Sequence, residues 1–122
     1  MVIETPEDIA FIEEHLPNQL HCLIGLGYLA QIMHQDASKS KAVMALAKIW
    51  RIVESEIVSF GDDINDIDML SCTGVSVAMA NAFDDKVKAV ATHICDTNDN
   101  DGVAKWIDEN ILGGFTQPCQ NT

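Results

Sequence analysis

The stretch FGDDINDIDML, residues 60–70, gathers Asp62, Asp63, Asn65, Asp66 and Asp68 between two apolar runs, EIVS before it and VSVAMA after it. Carboxylates at the end of an apolar strand repel one another and lose hydration, so the cluster needs a compensating charge. Two chemistries answer that need. Clustered oxygen donors suit a hard cation such as Mg²⁺, which keeps several waters. Short Asp and Asn side chains also cap helices, and this second reading fits Asp63 and Asp68 better. It fits Asp62 less well, because Asp62 comes straight after the strand and its turn residue Gly61. From these residues alone both chemistries stay open.

The elements that would position the cluster alternate along the chain. PEDIAFIEEHL (6–16) reads as a short helix with Ile9, Ile12 and Leu16 on one stripe. CLIGLGYLAQIM (22–33) has strand-like apolar content interrupted by two glycines, so one or two strands are expected. SKSKAVMALAKIWRIV (38–53) predicts a helix capped by Ser38 or Ser40, with Ala42, Leu46, Ile49 and Val53 on its inner face. EIVSF (56–60) and VSVAMA (75–80) have the composition of fully buried strands, and THIC (92–95) of a fourth short strand. Helices are expected over 64–73, with Met69 and Leu70 inward, over 84–91 with Asp84 as cap, and over 101–112 closed by Gly113 and Gly114. The tail FTQPCQNT reads as frayed. This order predicts an α/β fold, a Rossmann-like parallel sheet with flanking helices. Ligands of such sheets sit at the carboxyl ends of the strands, where the acidic cluster falls.

Composition narrows the function. The 122 residues carry 7 basic and 19 acidic side chains, a net charge of −12. That argues against nucleic acid, which requires clustered Lys and Arg. No run approaches the roughly 18 apolar residues of a membrane span. The start is acidic from Glu4 and has no basic n-region, so it does not read as a signal peptide, and a cytoplasmic protein is expected. Cys22, Cys72, Cys95 and Cys119 show no C-x-x-C spacing and read as buried apolar residues or free thiols. His34 and His93 read as packing or surface residues.

Three segments taken in order, SKSKAVMALAKIW, FGDDINDIDMLSCTGVSVAMANA and VKAVATHICDTNDNDGVAKWI, resemble the C-terminal half of Cof-type phosphatases of the haloacid dehalogenase superfamily. The resemblance runs from about Leu29 to Leu112. It implies that Lys39, which alone reads as a solvated lysine, neutralises a phosphoryl group. It implies that Asp62 ligates Mg²⁺, that Asp66 is a ligand or supports the metal's water shell, and that Asn65 lies near the phosphoryl group. Asn81, Asn98 and Asp101 follow as supporting substrate-binding residues in loops at the same end of the sheet. Asp63 stands where the family often has Gly and carries no implied role.

The resemblance also implies a division. Residues 1–33 look like the remnant of an α+β cap domain, and 34–122 like the C-terminal part of the core. The family's nucleophile is an Asp in a D-x-D-G-T segment that follows a buried strand, and a second Asp there serves as general acid and base. No such segment stands in these residues. DNDGV (99–103) spells D-x-D-G, but Asp96, Thr97 and Asn98 separate it from its strand. A calcium loop counted from Thr97 lacks Asp at position 1 and Glu at position 12. A receiver domain would need its acidic pair before the Lys. The expectation is therefore a Mg²⁺-dependent hydrolase of small phosphomonoesters such as sugar phosphates, represented by its C-terminal part and inactive alone. The alternative is a non-catalytic interaction or oligomerisation module that keeps the fold. Both leave EIVSF with an open edge that invites a partner strand or a homo-oligomer.

Overall fold

The computed structural model describes residues 1–113; Gly114, Cys119 and the tail, for which a helix stop, a thiol and fraying were expected, lie outside the described residues. The chain forms two units in succession. In the first, α1 (Pro6–His15) packs on an antiparallel hairpin of β1 (Leu20–Gly25) and β2 (Leu29–His34). Ile3, Ile12 and Ala30 are its buried centre, with Ile9, Leu16, Cys22 and Ile24 against them. CLIGLGYLAQIM is thus two strands, and its glycines mark the turn. Leu26 (φ 57°) and Gly27 (φ 79°) both adopt left-handed backbone, and Tyr28 N–H closes the turn on Gly25 O at 3.3 Å. Positive φ at both central residues matches the twist of a two-strand ribbon, at a steric cost for Leu26 that a glycine would not carry.

The second unit is a parallel sheet in the order β3-β4-β5, comprising β3 (Val58–Gly61), β4 (Val75–Met79) and β5 (His93–Cys95). The helices are α2 (Lys39–Trp50), α3 (Ile67–Cys72), α4 (Asp85–Val90) and α5 (Gly102–Ile107), the last continuing as a wider turn through Leu112. Strand alternation divides the core. Val77 and Met79 of β4, with Cys95, face Phe60, Val103 and Trp106. Ala78 faces the other way, onto Leu70, Ala82 and Val87. Ser76, fully buried on that second face, is satisfied by Thr92: Ser76 N–H donates to Thr92 Oγ1 (3.0 Å) and Thr92 N–H to Ser76 Oγ (3.1 Å).

Two expectations about packing are corrected. The inner face of α2 is Val43, Met44 and Ala47, not Ala42, Leu46, Ile49 and Val53; Ile49 is 74% and Trp50 63% exposed. The helix carries apolar residues all round, so periodicity alone did not choose the buried side. Likewise β3 is half-buried, because it pairs with β4 on one side and no described strand lies on the other. Ser38 is the cap of α2, its Oγ accepting from Lys41 N–H at 3.2 Å, and Asp84 caps α4 through Lys86 N–H at 2.9 Å.

Candidate functional site

The acidic cluster lies where β3 ends. Gly61 closes the strand, and the chain then turns through a short 3₁₀ segment, Ile64–Asp66, into α3. Glycine is required at 61 by close approach: a Cβ there would lie 2.6 Å from Asp66 Cβ. Asp66 is folded back beneath the turn, 4% exposed. One carboxylate oxygen, Oδ2, accepts the backbone N–H groups of Asp62 (3.0 Å) and Asp63 (3.2 Å). The other, Oδ1, accepts from Lys39 Nζ.

Lys39 is the first residue of α2, and Ser38 fixes where that helix begins. Its ammonium also donates to Asn65 Oδ1 at 3.4 Å. An ammonium has three donors, and the Lys39 side chain is 49% exposed, so one face of the charge stays open to a ligand. Lys39 thus meets Asn65 and Asp66 at this turn, and Asp62 joins them through its backbone N–H. Asp62 turns its side chain outward, while Asp63 caps Ile64 N–H at 2.7 Å.

The remaining candidates sit at the neighbouring strand ends. Asn81 follows β4 and Asn98 follows β5, and Asn81 Nδ2 donates to Asn98 Oδ1 at 2.8 Å, joining the two loops. Asp101, exposed and in left-handed backbone (φ 56°), lies in the second loop and starts α5. All therefore occupy the carboxyl edge of the sheet.

Asp68 belongs to a different arrangement. Its Oδ2 accepts from Ser40 Oγ (2.8 Å) and its Oδ1 from Met69 N–H (2.8 Å), which ties α3 to α2. Burial pulls its pKa up, but the hydrogen bonds from Ser40, Met69 and Ser38 together outweigh burial and hold it below the usual carboxylate value. Spacing gave no sign of this contact, which spans 28 residues. The resemblance implied a cap in residues 1–33 but named none of its residues as lining the site. The hairpin lies over the 3₁₀ turn, so that a Cβ on Gly25 would come 3.3 Å from Asp63 Oδ2, and a cleft of about 700 Å³ lies between His21, Leu23 and Met33 above and Lys39, Asn65 and Ile67 below.

Magnesium fits this donor set poorly. Both oxygens of Asp66 are engaged, Asp62 offers one carboxylate, and no three His, Cys, Asp or Glu side chains converge among the described residues. The His34 ring accepts from Asp36 N–H (3.1 Å), and His93 packs on Trp106 (5.6 Å between ring centroids); neither reaches the site. No helix of the described residues is long and apolar enough to cross a membrane.

The pattern of the haloacid dehalogenase-like hydrolases matches residues 1–107. A Haemophilus influenzae protein is 35% identical over 114 residues, covering 90% of this chain and 43% of its own. The 5-amino-6-(5-phospho-D-ribitylamino)uracil phosphatase YwtE of Bacillus subtilis is 33% identical over 88 residues, 72% of this chain and 30% of its own. The solved structure of the subclass IIB sugar phosphatase BT4131 superposes with a TM-score of 0.76 at 26% identity, over 88% of this chain and 40% of that one. The chain spans less than half the length of each.

Proposed function

The chain belongs to the haloacid dehalogenase-like hydrolases, and from that premise we propose that it is the charge-neutralising part of a phosphomonoester phosphatase. The observation that carries this reading is the Lys39 ammonium, fixed on buried Asp66 and on Asn65 with one face open. Phosphoryl transfer spreads negative charge over the equatorial oxygens of the moving group, and a preorganised cation stabilises that charge without reorganising. Lys39 has this role. Asp66 holds it in place, while Asn65 Nδ2 is available to a second phosphoryl oxygen. The clasp of Asn81 on Asn98 supports the strand-end loops around the substrate, with Asp101 beside them. The subclass IIB neighbour and the B. subtilis relative point to phosphorylated sugars and ribityl compounds as the substrate class.

Mg²⁺ belongs to this reading only with donors beyond Asp62 and Asp66, so no step is routed through it here. The attacking carboxylate likewise comes from a complementing segment, and residues 1–33 act as part of a cap over the core in 34–122. The test is a phosphatase assay in Mg²⁺ on the chain alone and after mixing with a separately supplied D-x-D-G-T segment. Turnover only on mixing supports the reading. Turnover by the chain alone overturns the assignment of the nucleophile to another segment.

One observation favours a second reading, a non-catalytic interaction module. Leu46, Ile49, Trp50 and Val53 form an exposed apolar flank beside β3, whose outer edge is unpaired among the described residues. A stable dimer that stays inactive after mixing would favour the module.

A further inference from the structure

We infer that the cleft beside Lys39 selects phosphomonoesters whose leaving group presents an apolar or flat aromatic face, rather than a polyhydroxylated sugar. This inference rests on the phosphatase reading of the site and departs from the sugar class that the subclass IIB neighbour suggests, because the cleft's own lining argues against it. The register of the hairpin carries it. His21 stands opposite Met33 and Leu23 opposite Gln31, so these residues share one face of the ribbon, while Cys22, Ile24 and Ala30 on the other face pack on α1. The first face looks down on the core and lines the cleft with Leu23 and Met33; Ile64 and Ile67 line it from below.

The polar groups of the cleft are few, and most are already bonded. Ser38 Oγ is occupied by Lys41 N–H and Ser40 Oγ, and Asp68 by Ser40 and Met69. Lys39 and Asn65 stand together at the phosphoryl end. Beyond them the His21 ring is the polar group that lines the cleft on the hairpin's side, with Gln31 on the same face of the ribbon but outside the lining. A ring of hydroxyls placed against Leu23, Met33, Ile64 and Ile67 would lose its water and find few partners, which penalises binding. A flat or alkyl group would bury against those side chains and could stack on His21. Sulfur in Met33 adapts to such a face.

The test is titration of the full isotope-labelled chain, followed by amide shifts, with three probes: inorganic phosphate, phenyl phosphate and glucose 6-phosphate. All three are expected to shift Lys39 and Asn65. Phenyl phosphate alone should also shift Leu23 and Met33, and it should bind about tenfold or more tightly than glucose 6-phosphate, the scale on which apolar pockets discriminate. Met33→Gln and, separately, Leu23→Asn should remove most of that preference and leave inorganic phosphate unchanged. Equal or tighter binding of glucose 6-phosphate at Lys39 and Asn65 would overturn the inference and spare the phosphatase reading. A preference for phenyl phosphate that survives both substitutions would overturn it too, by placing the ring elsewhere. No shift of Lys39 or Asn65 with any probe would overturn both.

Discussion

Asp66 shows how one side chain can organise both a turn and a neighbouring lysine. Its oxygens satisfy two backbone N–H groups of the turn and one ammonium, so its geometry sets both the turn and Lys39. Asp66→Ala would leave two N–H groups unpaired and Lys39 with Asn65 as its remaining partner. A loss of about 2–3 kcal/mol is expected, the scale of hydrogen bonds to charged groups, read by urea denaturation. Lys39→Met should lower kcat of the complemented enzyme by about 10²–10³ while leaving the fold intact, the cost of removing one preorganised charge-stabilising group. Asp68 gives a pH signature. Its folded pKa is depressed, so its stabilisation is present above the ordinary carboxylate pKa and lost as pH falls through the depressed value. Ser40→Ala should therefore cost about 1 kcal/mol near neutrality and less in acid, seen as a shallower acid limb in thermal melts across pH. The acidic cluster was legible from composition, and the pairing of Lys39 with it only through family resemblance. Nothing local to SKSK or GDDIND reveals a bond that spans 27 residues.

Elements were more legible than their faces. Turn and cap residues marked the ends of α2 and α4 to within a few positions, since Ser38 and Asp84 cap by local chemistry that needs no tertiary information. The buried side of α2 was not legible, because Leu46, Ile49 and Trp50 are as apolar as Val43 and Met44, and tertiary packing, chiefly on α3, decides which are covered. β3 misled only in its burial: VSF has core composition, yet the strand is half-buried, in keeping with the open edge that the resemblance implied. At this scale glycines make sharp predictions. In Gly61→Ala the new methyl would meet Asp66 Cβ, and in Gly102→Ala it would lie 1.9 Å from Asp96 O, a backbone atom that cannot yield cheaply. Gly102→Ala is expected to cost at least about 3 kcal/mol by separating α5 from the loop after β5, and Gly61→Ala about 1–3 kcal/mol with displacement of Asp66. Chemical denaturation of the two variants checks the order.

At the scale of the whole molecule, two small units are joined through a short connection, residues 35–38, and the site lies where they face each other. A division into two units was expected only from the family resemblance, and the closeness of hairpin and turn was not legible at all, since it depends on the angle between units. The flank of α2 meets the side of β3 that is unpaired among the described residues at a groove of about 350 Å³, lined by Leu46, Trp50, Ile57 and Val58. Trp50→Ser is expected to weaken self-association or complementation several-fold without changing the monomer's stability, measurable by sedimentation across concentration.

That bare flank also bears on how the protein behaves in a tube. Molecules exposing so much oily surface are held apart by mutual repulsion of their twelve excess negative charges. Salt near molar strength shortens the reach of that repulsion to about 3 Å and leaves the surfaces free to cohere. Turbidity should therefore rise with added sodium chloride, and dilute buffer should keep the solution clear.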